Sequence, residues 1–224
     1  MAEMFVEDGG FSLTLCEYKA SKDTSVSVRC GDITLEKVDA ISSSANAELI
    51  HEDGIAKAIV KAGGDSIQTE SDNIVQERGP LDVTEVVYTS AGKLECQHVL
   101  HVVCPIWRVD SVSDVTDRLF ECCLNLLNTA SKDTRSTSIA IPAVGTGICG
   151  IPADVCAKTM YKAVNEFIAN KSSADSLCDI RVIGLDWDTM EIFQKVFEEK
   201  GSSGNQDTAI YAEIDDDDDD SSDG

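Results

Sequence analysis

Six consecutive residues, Gly145, Thr146, Gly147, Ile148, Cys149 and Gly150, have the types and spacing to hold an anion through the main chain. Glycine lets backbone N–H groups close on phosphate oxygens with no Cβ in the way. The apolar run before them, from Ile139 to Val144, reads as a buried strand. The segment after them enters a helix, whose positive dipole end adds to the attraction. The chemistry this arrangement serves is diphosphate binding. The same letters satisfy the G-x-G-x-x-G dinucleotide fingerprint, which needs about two further strand–helix units downstream. Only a helix over 153–170, one strand and one helix follow, so a hydride-transfer domain does not fit the topology.

The elements that must position this loop are legible in the apolar periods. Phe11, Leu13 and Leu15 alternate, as do Val26 and Val28, which predicts half-buried strands. Val38 to Ile41 reads as a buried strand leading into the small polar run Ser42 to Asn46. Ile55, Ala58, Ile59 and Ala62 follow a helical period that ends at Gly63 and Gly64. A more polar helix is expected from Ser66 to Glu77, stopped by Gly79 and Pro80, with strands at Glu85 to Thr89 and His98 to Val103. Helical stripes recur at Val115, Leu119, Cys122, Cys123, Leu126 and Leu127, and at Cys156, Met160, Ala163, Val164 and Phe167. A strand from Ile180 to Leu185 and a helix marked by Met190, Phe193 and Phe197 complete the series. Strands alternating with helices imply an α/β sandwich around a mixed sheet.

Bulk properties restrict the partners. The 224 residues carry a net charge of −23, which argues against nucleic-acid backbone and against an anionic membrane as ligands. Part of the charge lies after Gly201, where Asp207, Glu213, Asp215 to Asp220 and Asp223 occur with no Lys or Arg. That Ser/Gly/Asp-rich stretch, 201–224, is expected to be a disordered acidic tail behind a domain spanning 1–200. No apolar run reaches membrane-spanning length, and the N-terminus has no signal-peptide pattern. Nine cysteines, an odd number, read as reduced thiols in a nuclear or cytoplasmic protein rather than a disulfide framework. His98 and His101, close to Cys96 and Cys104, do not make a metal site. On a strand, residues 96, 98 and 104 point to one face and 101 to the other. Trp107, Cys122 and Cys123 read as packing residues.

Five segments together carry a family resemblance. They are Gly31 to Thr34 (Gly-Asp-Ile-Thr), Val38 to Ile41, Asn46 to Gly64, His98 to Trp107 and Ile141 to Gly150. In this order and spacing the chain, from about Val26 to Phe197, resembles the macrodomain family. It is most like macrodomains of multi-macrodomain ADP-ribosyltransferases and the coronaviral X domain. The resemblance implies a three-layer α/β/α macrodomain-like sandwich with a mixed central sheet, and ADP-ribose, free or protein-linked, in a cleft at the strand ends. It assigns Asp32 and Ile33 to the adenine and Asn46 to the terminal ribose. Gly54, Ile55 and Ala56 at the Ile55 helix start, with Val144 to Gly150, fall to the diphosphate and the ribose beyond it. No cofactor and no metal is implied. Read without the family, Asp32 is equally a turn residue bonded to its own backbone, and Asn46 a strand-end turn residue.

The chain departs from the family pattern at several points. The Asn-Ala-Ala-Asn stretch is Ser43, Ser44, Ala45 and Asn46, and the first glycine run is Glu52, Asp53 and Gly54. Asp53 stands at a helix N-cap, where its carboxylate is expected to satisfy orphan N–H groups and to repel a diphosphate. Cys149 replaces the aromatic that commonly packs by the terminal ribose. Ala56 replaces the Asp of the deacylating branch, and the glutamate pair of poly(ADP-ribose) glycohydrolases is missing. The weak catalytic candidates are Asn46 and His51, the latter expected to face solvent. A binding module is therefore expected first, a mono-ADP-ribosyl hydrolase second, and a scaffold that has lost its ligand third.

Overall fold

Period-2 and period-3.6 apolar patterns alternate along most of the chain, and the backbone follows them. A computed structural model describes the backbone over residues 4–7 and 10–210 and the side chains over 12–199. The strands are β1 (Met4–Glu7), β2 (Gly10–Ser21), β3 (Thr24–Gly31), β4 (Ala40–Ala45), β5 (Val86–Ser90), β6 (His98–Val103), β7 (Ser138–Pro142) and β8 (Asp179–Gly184). The helices are α1 (Gly54–Gly63), α2 (Ser66–Arg78), α3 (Val112–Asn128), α4 (Ala153–Ala169) and α5 (Trp187–Ile210). The eight strands form one mixed sheet in the order β1-β2-β3-β8-β7-β4-β6-β5. The pairs from β3 through β8, β7 and β4 to β6 are parallel, and β1, β2 and β5 join antiparallel at the edges.

Strand alternation divides the core between two faces. Ile139 and Ile141 of β7, with Val26, Val28, Leu100 and Val182, pack against α3, α4 and α5. On the opposite face Ala140, Ile41, Val99 and Ile183 pack against α1 and α2 through Ile59 and Ile67. Helices thus cover both faces of the sheet, the α/β/α layering expected from the alternation. Phe193 and Phe197 of α5 are fully buried, and truncating either to Ala would cost about 3–5 kcal/mol.

Some boundaries differ from the sequence reading. β4 runs on through Ser42, Ser43 and Ser44, because those side chains are small enough to sit in the sheet interior beside β6. Strand β1 has no strong pattern of its own and is held by pairing with β2. The backbone of α5 stays helical to Ile210, past the expected boundary at 201, while 211–224 lies outside the described residues.

In parallel strands all carboxyl ends lie along one edge. Gly31, Gly184, Pro142, Ala45 and Val103 therefore open, in that spatial order, onto the place where α/β sheets bind ligands.

Candidate functional site

A cleft of about 1160 Å³ runs along this edge, just above the ~300–1,000 Å³ usual for ligand pockets. At its first end, over β3 and β8, Asp32 caps a short 3-10 turn, Ile33–Leu35. Its Oδ1 accepts from the Thr34 amide at 2.9 Å and the Thr34 hydroxyl at 2.8 Å. The turn reading and the ligand reading of Asp32 are thus compatible: one oxygen is spent locally, and among the described residues Oδ2 accepts nothing. Two residues beyond Thr34, buried Glu36 accepts from Ser12 Oγ at 2.9 Å, Arg181 at 2.8 Å and Arg29 at 3.3 Å. Asp179, paired with Arg181 at 2.8 Å, balances the charge, and the network ties the turn to β2, β3 and β8. Leu185, Asp186, Thr189 and Met190 close that end of the cleft.

The middle of the cleft is built from main chain. Gly145 has φ +80°, and a Cβ there would lie 2.6 Å from Ile151 Cδ1. The loop is fixed by three of its own bonds: Thr146 N to Ala143 O, Gly150 N to Gly147 O, and Ile151 N to Gly145 O. Trp107 N donates to Cys149 O at 2.8 Å and anchors the loop to the segment after β6. Among the described residues, the amides of Gly145, Gly147, Ile148 and Cys149 have no protein acceptor.

Across the cleft, α1 starts at Gly54 with φ +56°. Its first three amides, on Gly54, Ile55 and Ala56, also lack a protein acceptor among the described residues, and the first bond to close is Lys57 N to Asp53 O. The two loops approach closely, since a Cβ on Gly54 would sit 3.6 Å from Ile148 Cδ1. Two sets of unpaired N–H groups and one helix dipole thus line the same gap, an anion site that uses no cationic side chain.

Several expected site residues sit elsewhere or act differently. Asp53 occupies the N-cap position of α1 with the β-region backbone usual for a cap, but its side chain makes no capping bond; the residue after it, Gly54, is left-handed at φ +56° where a capped helix begins right-handed. The expectation that it consumes the orphan amides is therefore corrected. Val144 is fully buried and does not line the cleft; its carbonyl accepts from Cys156 Sγ at 3.0 Å. Gly150 closes the loop, with φ +71°, and also lies outside the lining. Thr146 lines the cleft, but its amide and hydroxyl both bond to Ala143 O.

Asn46 lines the cleft while both ends of its amide hold the following loop, accepting from Ile50 N at 2.9 Å and donating to Ile50 O at 3.3 Å. His51, expected at the surface, is buried and outside the cleft. Its ring stacks on His101 at 4.8 Å, and its Nε2 meets Ser71 Oγ at 2.9 Å. Burial holds the His51 pKa below its ordinary value, against a smaller opposing pull from Asp72. Burial, then the neighbouring His51, brings His101 down to about 3. This buried pair is a poor proton shuttle for the cleft.

Thiols give no nucleophile either. A hydrogen bond with Cys104, then burial, raises the Cys149 pKa far above its ordinary value. Cys104, bonded first to Cys122, is pushed up to about 12. Both stay protonated at neutral pH, and a thiol is nucleophilic only as thiolate.

The far wall was not visible in the sequence. Val83, Ile106, Arg108, Ser111, Asp114 and Arg118 line the end over β6 and β5. Among them Arg118 Nε pairs with Asp114 at 3.1 Å. The rule that ligands gather beyond strand carboxyl ends would have pointed to Ile106 and Leu185, which follow β6 and β8.

This architecture and site define an α/β/α ligand-binding domain, and comparison with known proteins places it. The Macro domain family profile matches residues 43–160, and the chain belongs to that family. It is similar to an uncharacterized protein of Thermotoga maritima, 42% identical over 181 residues, which cover 81% of this chain and 29% of that one. It is also similar to the mouse protein mono-ADP-ribosyltransferase PARP9, 32% identical over 174 residues, which cover 77% of this chain and 20% of the mouse protein. The chain thus spans under a third of either relative. Among solved structures, the Oceanobacillus iheyensis macrodomain with ADP superposes with a TM-score of 0.77 at 23% identity, covering 88% of this chain and all of the other. The Trypanosoma brucei macrodomain in complex with ADP-ribose gives 0.65 at 23% identity, covering 76% and 68%.

Proposed function

We propose that the cleft binds ADP-ribose, free or attached to protein, as a recognition module without strong catalysis. The observation that carries this reading is the set of seven unpaired amides presented from two sides of one gap. A diphosphate needs such donors, and in an acidic chain they attract an anion without a basic patch. Asp32 Oδ2 beside Ile33 supplies an acceptor for the adenine amine. The solved macrodomains with ADP and ADP-ribose support the ligand class. The protonated thiols, the buried His51 and the locally engaged Asn46 favour binding over hydrolysis, and the unpaired amides disfavour a scaffold without ligand. Nine free thiols fit a nuclear or cytoplasmic setting. Among the described residues, no helix is long and apolar enough to cross a membrane.

Calorimetric titration with ADP-ribose tests the reading. Micromolar binding that Asp32→Ala weakens at least tenfold supports it; affinity weaker than millimolar defeats it. Rapid release of label from a mono-ADP-ribosylated substrate would show a hydrolase instead.

A further inference from the structure

Exposed apolar side chains are not spread evenly over this surface. Among the described residues, ten large hydrophobic side chains are exposed; Ile50, Val83, Ile106 and Ile148 line the cleft from its middle to its β6 end, and Val109 and Val112 adjoin the lining residues Arg108 and Ser111 in sequence. Ile106, Val109 and Ile148 are 67%, 83% and 81% exposed. Four segments carry them, and hydrogen bonds join these segments into one rim. Leu81 N donates to Ala47 O, Thr84 N to Val103 O, and Trp107 N to Cys149 O. An apolar concentration of this kind marks a contact surface rather than chance exposure.

The charges on the rim are as one-sided as the apolar side chains are concentrated. Glu52 and Asp53 follow Ile50, Asp82 precedes Val83, and Asp110 follows Val109. All four side chains are exposed, and among the described residues none is in an ion pair or hydrogen bond. One cation, Arg108, stands among them, since Arg118 is taken by Asp114. A surface that is apolar with an excess of unpaired carboxylates is complementary to an apolar segment carrying positive charge.

The position of the rim says what that segment is. The sheet orders the cleft from β3 and β8, at the adenine end, through the amides over β7 and β4, to β6. On the ADP-ribose reading, which this inference rests on, the terminal ribose points toward β6, and whatever it is attached to leaves the cleft there. We propose that this rim docks the acceptor polypeptide of a protein-linked ADP-ribose, and that it selects acceptors with Lys or Arg and an apolar residue beside the modified position. The molecule then reads two things together: the nucleotide through main-chain donors, and the modified sequence through the Ile106 rim.

Three synthetic ligands test this by calorimetry: free ADP-ribose, a peptide ADP-ribosylated on a serine between lysine and leucine, and the same peptide with glutamates for the lysines. The lysine conjugate is expected to bind about fivefold to tenfold tighter than free ADP-ribose, and the glutamate conjugate no tighter than it. The double substitution Asp82→Lys with Asp110→Lys is expected to remove that preference, read as the ratio of conjugate affinity to the same variant's affinity for free ADP-ribose. Failure of free ADP-ribose to bind would remove the reading of the cleft and this inference with it. Equal binding of all three ligands, with no effect of the charge reversals, would leave the cleft reading intact and overturn only the acceptor rim. A concentration-dependent dimer abolished by Ile106→Ser would give the rim to a second copy of the chain and equally overturn the proposal.

Discussion

The two loops that face each other across the cleft present the same groups by different means. Gly145–Gly150 is closed by three internal bonds and tied to Trp107, with glycines where the backbone turns left-handed. The Glu52–Gly54 turn has one glycine, two carboxylates, and a helix start whose cap residue makes no side-chain bond. Yet the first offers four unpaired amides and the second three. Backbone conformation decides whether donors are free, and the side chains nearby decide how welcome an anion is. The glycine loop is therefore tuned by shape and the Glu52–Gly54 turn by charge.

The sharpest way to break that contrast is Gly145→Val. A left-handed φ and a 2.6 Å Cβ contact combine to cost about 3 kcal/mol, seen in a denaturant midpoint, with ADP-ribose affinity falling about 100-fold. Next comes acidification, which acts beside the Glu52–Gly54 turn through His51 and His101. Both folded-state pKa values lie below the ordinary value of 6.5, so their neutral forms belong to the folded state. Stability is then full above pH 6.5 and falls below it, by roughly 1.4 kcal/mol per pH unit for His101, with His51 acting in the same direction. For His101 the decline continues toward about pH 3. Thermal melts between pH 7.5 and 5.5 measure it, and a flat profile would refute the buried neutral pair. Gly54→Ala meets no atom closer than 3.6 Å, so only its φ of +56° opposes the change. About 1 kcal/mol of stability and up to about tenfold in affinity should be lost. Asp53→Asn has the smallest effect and the opposite sign. Binding should tighten about twofold to fivefold, with stability within about 0.5 kcal/mol. Weaker binding would mean that the carboxylate helps the ligand.

Much of this was readable because glycine spacing and apolar period are local properties. The strand from Ile139, the glycine loop and the helix after it were set by residues adjacent in sequence, and so was the stripe of α3. What failed to show was contact between distant residues. His51 has a polar neighbourhood in sequence, but the fold places it between Ser71 of α2 and His101 of β6. Asp53 has the right type for a cap, while the direction of its carboxylate depends on a backbone held by Gly54 and the opposing loop. Val144 looked like part of the glycine loop, but the turn that follows β7 points it inward to α4. The rim at Val83 and Ile106 joins segments more than twenty residues apart, and no local pattern announces it.

Main-chain donors have no formal charge, so ionic strength reaches this pocket through the charged side chains around it, where carboxylates outnumber Arg108 and Arg118. A lysine-lined anion pocket weakens as electrolyte is added. Here the carboxylates of Glu52 and Asp53 stand at the entrance of a molecule with net charge −23. Added ions shorten the reach of their repulsion to about 8 Å at physiological strength. Free nucleotide sugar should accordingly be held more firmly in concentrated buffer than in dilute, the reverse of ordinary electrostatic capture.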